Sequence, residues 1–173
     1  LKYKIKSIKI SCDGGAGTGK STGAKMISKK FKLAFLSSGL LYRYASYLLL
    51  KYKPKNKLNF LKKKFAKLNN KKLVKFNLHS QTISEHSAEI AKIGKIRNIL
   101  KKYQIKFSKK NKKCCIEGRD ISTKILPDSD VKFFFKCSLN IAARRRYAQL
   151  KKIEKKIKFK DVKKSLKNKK YQG

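Results

Sequence analysis

Four glycines and a lysine lie within the eight residues Gly14-Gly15-Ala16-Gly17-Thr18-Gly19-Lys20-Ser21, a run that fits G-x-x-x-x-G-K-[ST] and favours a tight loop. Its surroundings give the run meaning. Ile5, Ile8, Ile10 and Cys12 are apolar positions leading into Asp13, which predicts a buried strand, and Ala24, Ile27 and Phe31 fall at helical spacing beyond it. Strand, glycine loop and helix therefore follow in order. Small residues let the loop N–H groups converge on a polyphosphate, and the helix N-terminus adds a favourable dipole. In such a loop Gly14 to Thr22 cradle the phosphates of ATP, Lys20 reaches the β and γ phosphates, and the Ser21 hydroxyl ligates Mg2+. The competing reading is a glycine-rich turn with a chance lysine.

The rest of the chain alternates in the same way. Leu33 to Leu36 reads as a second parallel strand, and Gly39 to Tyr52 as a helix that stops before Pro54. From Leu58 to Lys106 the pattern is helical, strongest at Ile90, Ile93, Ile96, Ile99 and Leu100. Cys114 to Ile116, ending at Glu117-Gly118, and Val131 to Cys137 are the next strand candidates. Ser138 is placed to cap a helix from Leu139 to Lys152, and a last helix is expected over Lys160 to Lys170. Strands alternating with helices predict a parallel sheet covered on both faces, in one domain of this length.

The formal charge of +40 would ordinarily point to nucleic acid. Of the 49 basic residues, however, 43 are lysines spread along the whole chain among Ile and Asn, without the arginine forks and interleaved aromatics of a nucleic-acid reader. No specific nucleic-acid partner is therefore expected. The six arginines, Arg43, Arg97, Arg119, Arg144, Arg145 and Arg146, become candidates for phosphate or carboxylate contacts. No stretch approaches the roughly 20 apolar residues of a membrane span, and no apolar run follows the basic N-terminus, so a cytoplasmic chain is expected. Cys12, Cys114, Cys115 and Cys137 sit in apolar runs without metal-ligand spacing, as reduced core residues would.

Ser37-Ser38-Gly39-Leu40-Leu41-Tyr42-Arg43 follows the second strand, where a hydroxyl, a helix N-terminus and an Arg could together hold a monophosphate. Alternatively it is an N-cap opening an amphipathic helix with a solvated Arg. Taken with Asp13 to Thr22, Ile96 to Leu100, Glu117 to Thr123 and Pro127 to Phe133, all in order, it makes the chain resemble the bacterial cytidylate kinases. The segment Gly118-Arg119-Asp120 separates that family from adenylate, guanylate and shikimate kinases.

The resemblance implies an α/β three-layer P-loop nucleoside monophosphate kinase fold, its core formed by residues 1–57 and 107–173. A helical acceptor-binding insert occupies 58–106, and a lid lies near 147–160. It implies transfer of the γ-phosphoryl group of ATP to CMP or dCMP by a monomer. Ser38, Gly39 and Arg43 are then expected at the acceptor phosphate, Arg119 as a second phosphate-side arginine, and Arg97 and Asp120 at the cytosine edge. A carboxylate suits that edge because cytosine N4 is a donor, while an Arg can donate to O2 and N3. The rival reading pairs Arg97 and Asp120 with each other or with Glu117. Arg145 and Arg146 match the arginines of the helix leading into the lid and are expected to neutralise the transferred phosphoryl group with Lys20, whereas Arg144 reads as solvated. Another P-loop small-molecule kinase, or a lysine-rich nucleic-acid-binding protein, are the alternative functions.

Some positions depart from the family pattern. Ser37 replaces a common Asp, Ala88 stands where a serine is frequent, and the stretch from Asn59 to Ser87 is short. Family members continue with an R-x-x-x-D-x-x-R element, whose Arg and Asp the resemblance assigns to phosphate and ribose, and then a final strand and helix. Lys169 aligns with its first Arg and Gly173 with its Asp, so a truncated chain lacking that strand is expected, clipped also before Leu1.

Overall fold

A computed structural model of the chain describes residues 6–152 and 156–170. Its elements run β1 (Ile8–Gly14), α1 (Lys20–Lys30), β2 (Ala34–Ser37), α2 (Ser38–Tyr52), α3 (Lys57–Ala66), α4 (Gln81–Ile90), α5 (Gly94–Lys110), β3 (Lys113–Gly118), β4 (Val131–Phe135), α6 (Leu139–Lys151) and α7 (Phe159–Lys170). The four strands form one sheet in the order β2-β3-β1-β4, flanked by helices. This is the α/β parallel-sheet architecture that the alternation predicts. β1 is an inner strand, parallel to both neighbours: Ile8 lies opposite Lys113 and Asp13 opposite Gly118, while Ile10 faces Val131 and Gly14 faces Phe135. Being paired on both edges explains why β1 buries Ser11 and Asp13 as well as Ile10 and Cys12.

The chain divides into two compact units, one made of residues up to Phe35 and from Lys112 onward, the other of Leu36–Asn111. In the first, α1 packs Ala24 on Ile10, Cys12 and Cys115, with Leu33, Ile27 and Val131 completing the cluster. A second apolar cluster joins α6 to α7 through Ala142, Ala143, Leu150, Val162 and Leu166, and Tyr147 meets Phe159 edge-on at 5.7 Å. Ser138 caps α6 by accepting from the Ile141 N–H at 3.3 Å, as its position suggests. β4 ends at Phe135, two residues short of the expected Cys137, and is an edge strand of the sheet among the described residues; Phe133 and Phe134 are exposed on it.

The second unit is helical, as expected for 58–106, and takes in α2 as well. α2 packs on α4, and α3 on α5, around Leu41, Leu61, Leu78, Ile96 and Leu100. Tyr44 meets Phe65 edge-on and Phe76 at a tilt, and Phe65 meets Tyr103 edge-on at 5.8 Å. The isoleucine series read as one helix is split between two. α4 stops at Ile90, Ile93 occupies the N-cap position of α5 with its side chain exposed, and α5 starts at Gly94. Periodicity alone does not register a turn of three residues that falls in phase with the helical repeat.

Cys12, Cys114 and Cys115 are buried free thiols and Cys137 is a half-buried one. No cluster of three or more His, Cys, Asp or Glu that could hold a metal occurs among the described residues, and no helix among them is long and apolar enough to cross a membrane. The expected lid near 147–160 lies partly outside the described residues, as do Ile5, Gly173 and the Lys169 side chain.

Candidate active site

The glycine loop leaves the end of β1 and turns into α1. Gly17, at φ 77°, sits so close to α6 that a β-carbon there would be 2.6 Å from the Ala142 carbonyl oxygen. Gly19, at φ 90°, is the residue before α1, and a β-carbon on it would lie 3.4 Å from Nη1 of Arg145. Both positions hold a left-handed backbone that favours glycine, and Gly17 adds close approach to backbone. Thr18 closes the loop by donating its hydroxyl hydrogen to the Gly15 carbonyl at 3.0 Å.

Lys20 and Ser21 open α1. The Lys20 Nζ lies 3.3 Å from Oε2 of Glu117 at the end of β3, the lysine side chain 16% exposed and the carboxylate 2%. Beneath the loop, the Cys12 and Cys115 sulfurs touch at 3.7 Å across the β1–β3 pair. Contact with Cys115, then burial, pushes the Cys12 thiol up; the same contact draws Cys115 below its ordinary value. Both thiols are fully buried, in the cluster that packs α1 on the sheet.

The α6 arginines differ from one another. Arg144 and Arg145 are exposed, and the Arg145 guanidinium lies beside the glycine loop. Arg146 is half-buried, with burial lowering its pKa from the ordinary value, and donates to Gln149 Oε1 at 3.5 Å. Arg119 and Asp120 form the short link between β3 and a single wide helical turn, Ile121–Ile125. That turn is held by Asp13. Its Oδ1 accepts the Ile121 N–H at 2.7 Å, and its Oδ2 accepts the Ser122 N–H at 2.8 Å and the Ser122 hydroxyl at 2.5 Å.

In the second unit, Ser37 caps α2 by accepting the Leu40 N–H at 3.2 Å; Ser38 is buried in the first turn and Gly39 is exposed. Arg43, one turn further along α2, donates from Nη1 to the Leu78 carbonyl at 2.9 Å. Arg97 on α5 is exposed and donates to the Ala91 carbonyl at 3.3 Å. Ser46 of α2 and His86 Nδ1 of α4 are 2.8 Å apart, a hydrogen bond that ties the Arg43 helix to its neighbour.

The first unit thus brings together the glycine loop, Lys20, Arg145 and the Arg119-Asp120 link, and the second carries Ser38, Gly39, Arg43 and Arg97. The sequence reading passed over Asp13 and took Glu117 only as a rival ion-pair partner. A signal was available: only nine acids stand against 49 basic residues, and these two lie at the ends of apolar strands. An acid kept inside a strand of so basic a chain is held there by specific partners.

Comparison with known proteins adds the family context. The family model described as cytidylate kinase matches residues 10–172. A cytidylate kinase of Mycoplasmopsis pulmonis (strain UAB CTIP) is 36% identical over 154 residues, covering 83% of this chain and 69% of that protein. One of Aquifex aeolicus (strain VF5) is 32% identical over 167 residues, covering 90% and 75%. A crystal structure of an uncharacterized protein from Eubacterium ventriosum ATCC 27560 matches with a TM-score of 0.53 at 17% identity, over 96% of this chain and 75% of that one, and supports the fold alone.

Proposed function

The chain belongs to the cytidylate kinase family, and we propose that it transfers the γ-phosphoryl group of ATP to CMP and dCMP. The observation that carries this reading is Lys20, which opens α1 directly after a glycine loop with left-handed backbone at Gly17 and Gly19 and pairs at 3.3 Å with Glu117, two residues before Arg119. The loop N–H groups and the α1 N-terminus bind the polyphosphate of ATP. Lys20 and the arginines Arg145 and Arg146 neutralise charge on the phosphoryl group as it transfers. Gly14 to Thr22 form the nucleotide cradle.

The loop fits a nucleotide because the close approach of Arg145 to Gly19 puts a guanidinium beside its backbone. The Ser21 hydroxyl is an oxygen ligand of the kind that Mg2+, a hard cation, takes; Ser21 would hold the ion, which would supply charge neutralisation at the phosphates. Ser38, Gly39, Arg43 and Arg119 hold the acceptor phosphate; Arg97 and Asp120 read the cytosine edge. The Leu78 carbonyl, by accepting from Arg43, restricts the guanidinium to one side of α2. A phosphate acceptor is already ionised at neutral pH, so no protein base is needed, and positioning with charge neutralisation carries the catalysis. The enzyme acts on free nucleotides as a cytoplasmic monomer.

The test is ADP release from ATP with CMP, dCMP, UMP, AMP, GMP and shikimate as acceptors. Turnover with CMP and dCMP above the others is expected. Preference for AMP, GMP or shikimate would overturn the assignment.

A further inference from the structure

Asp13 is the last residue before the glycine run and is 3% exposed. Its backbone stands opposite Gly118 in the parallel pairing of β1 with β3. Its carboxylate takes the N–H groups of Ile121 and Ser122 and the Ser122 hydroxyl. Only Arg119 and Asp120 lie between those two attachments. The two-residue link is therefore pinned at both ends to one residue: by strand register at Gly118 and by a carboxylate at Ile121.

The pinned turn is also closed from within. The Lys124 N–H donates to the Asp120 carbonyl at 2.8 Å, and the Leu126 N–H donates to the Ile121 carbonyl at 2.7 Å with the five-residue spacing of a π turn. Hydrogen bonds to a charged acceptor are about twice as strong as neutral ones, and three of them on one buried carboxylate leave the start of the turn little freedom. Asp120 enters this turn at φ −135° and ψ 30°, outside helical geometry, between Gly118 and Ile121, both of which are tied to Asp13.

We infer that Asp13 is a positioning residue that determines acceptor specificity: it fixes the aim of Asp120 and Arg119 and joins the acceptor-reading link to the strand end from which the glycine loop departs. The inference rests on the reading of Asp120 given under Proposed function. A residue that only stabilised the fold would, when weakened, lower stability and leave the choice between acceptors alone. A residue that aims Asp120 changes the choice itself.

The experiment compares the wild-type chain with Asp120→Ala, Ser122→Ala and Asp13→Asn. For each, kcat and KM are measured for CMP and UMP at saturating ATP, the Kd of ATP is measured without acceptor, and the exchange rates of the Ile121 and Ser122 amides are followed. Ser122→Ala removes one of the three bonds and is expected to lower the CMP-to-UMP ratio of kcat/KM about threefold; Asp13→Asn is expected to lower it about tenfold or more. The loss should appear as a raised KM for CMP, with faster amide exchange and an ATP Kd within about twofold of wild type. An unchanged CMP-to-UMP ratio in folded variants overturns the inference, as does a proportional loss for both acceptors and ATP. If Asp13→Asn does not fold, Ser122→Ala decides alone. Asp120→Ala separates the two readings. If it keeps the CMP preference, the base-reading assignment falls and takes the role of Asp13 with it. If it loses the preference while Asp13→Asn and Ser122→Ala keep theirs, only Asp13 is refuted.

Discussion

Replacing Lys20 with methionine removes the positive half of an ion pair whose other half is almost completely buried. At the observed 3.3 Å, the Coulomb attraction between unit charges is about 5 kcal/mol for an effective dielectric constant near 20. Part of that offsets the cost of taking the carboxylate out of water, and the 16% exposure of the Lys20 side chain admits some screening. Removing one partner of such a pair costs about 3 kcal/mol, because the Glu117 side chain stays buried without the cation beside it. Against a total stability of about 5–15 kcal/mol, this is a large loss. Lys20→Met/Glu117→Gln removes both charges and should lose clearly less than the two single variants added together, with a coupling of about 2 kcal/mol. Urea denaturation of the four proteins without nucleotide measures the cycle. Single-variant losses that add to within about 0.5 kcal/mol would refute the pairing. The same cycle separates chemistry from folding. ATP at 100 times its Kd should stabilise the wild type by about 2.7 kcal/mol and should not stabilise Lys20→Met. Its partner Glu117 makes Lys20 part of the folded core's charge balance as well as of the phosphate cradle.

Gly17→Ala forces a β-carbon to 2.6 Å from the Ala142 carbonyl at φ 77°, and is expected to cost about 2 kcal/mol or more together with nucleotide binding, read by thermal unfolding and ATP titration. Burial pushes the Cys114 thiol from 9.0 up to about 11. Above pH 9 the unfolded chain gives up this proton while the native state keeps it, so stability is full below about pH 9 and falls toward pH 11 by about 2–3 kcal/mol. In Cys114→Ala that alkaline decline should be shallower, whatever the variant costs at neutral pH; an identical slope in both proteins would show that the thiol is not the titrating group.

Local pattern was enough for much of this architecture. β1, the glycine loop and α1 are contiguous, so alternation, glycines and helical spacing between Ile8 and Lys30 carry them whole. The caps at Ser37 and Ser138 and the stop of α2 before Pro54 are likewise local chemistry. The contacts that hold the candidate site together are not local. Asp13 meets Ile121 and Ser122, and Lys20 meets Glu117, only because parallel register brings two distant strands alongside each other, and register leaves no mark within either strand. The break at Ile93 escaped for a different reason: an exposed isoleucine in a helical phase looks like a buried one.

The pairing of β1 also imposes an order of events during synthesis. Its neighbours in the sheet lie about a hundred residues downstream, at Lys113–Gly118 and Val131–Phe135, whereas the helices of Leu36–Asn111 contact one another within a contiguous stretch. On a ribosome that extends the chain at about 5–20 residues per second, the first strand waits several seconds for a partner while the helical unit already has all of its own. Through that interval Ile8, Ile10 and Cys12 form an apolar strand with both edges open, and the glycine loop has neither Ala142 to rest against nor Glu117 to hold its lysine. A nascent chain stalled before residue 113 should therefore display a folded helical unit and a protease-sensitive, nucleotide-blind N-terminus.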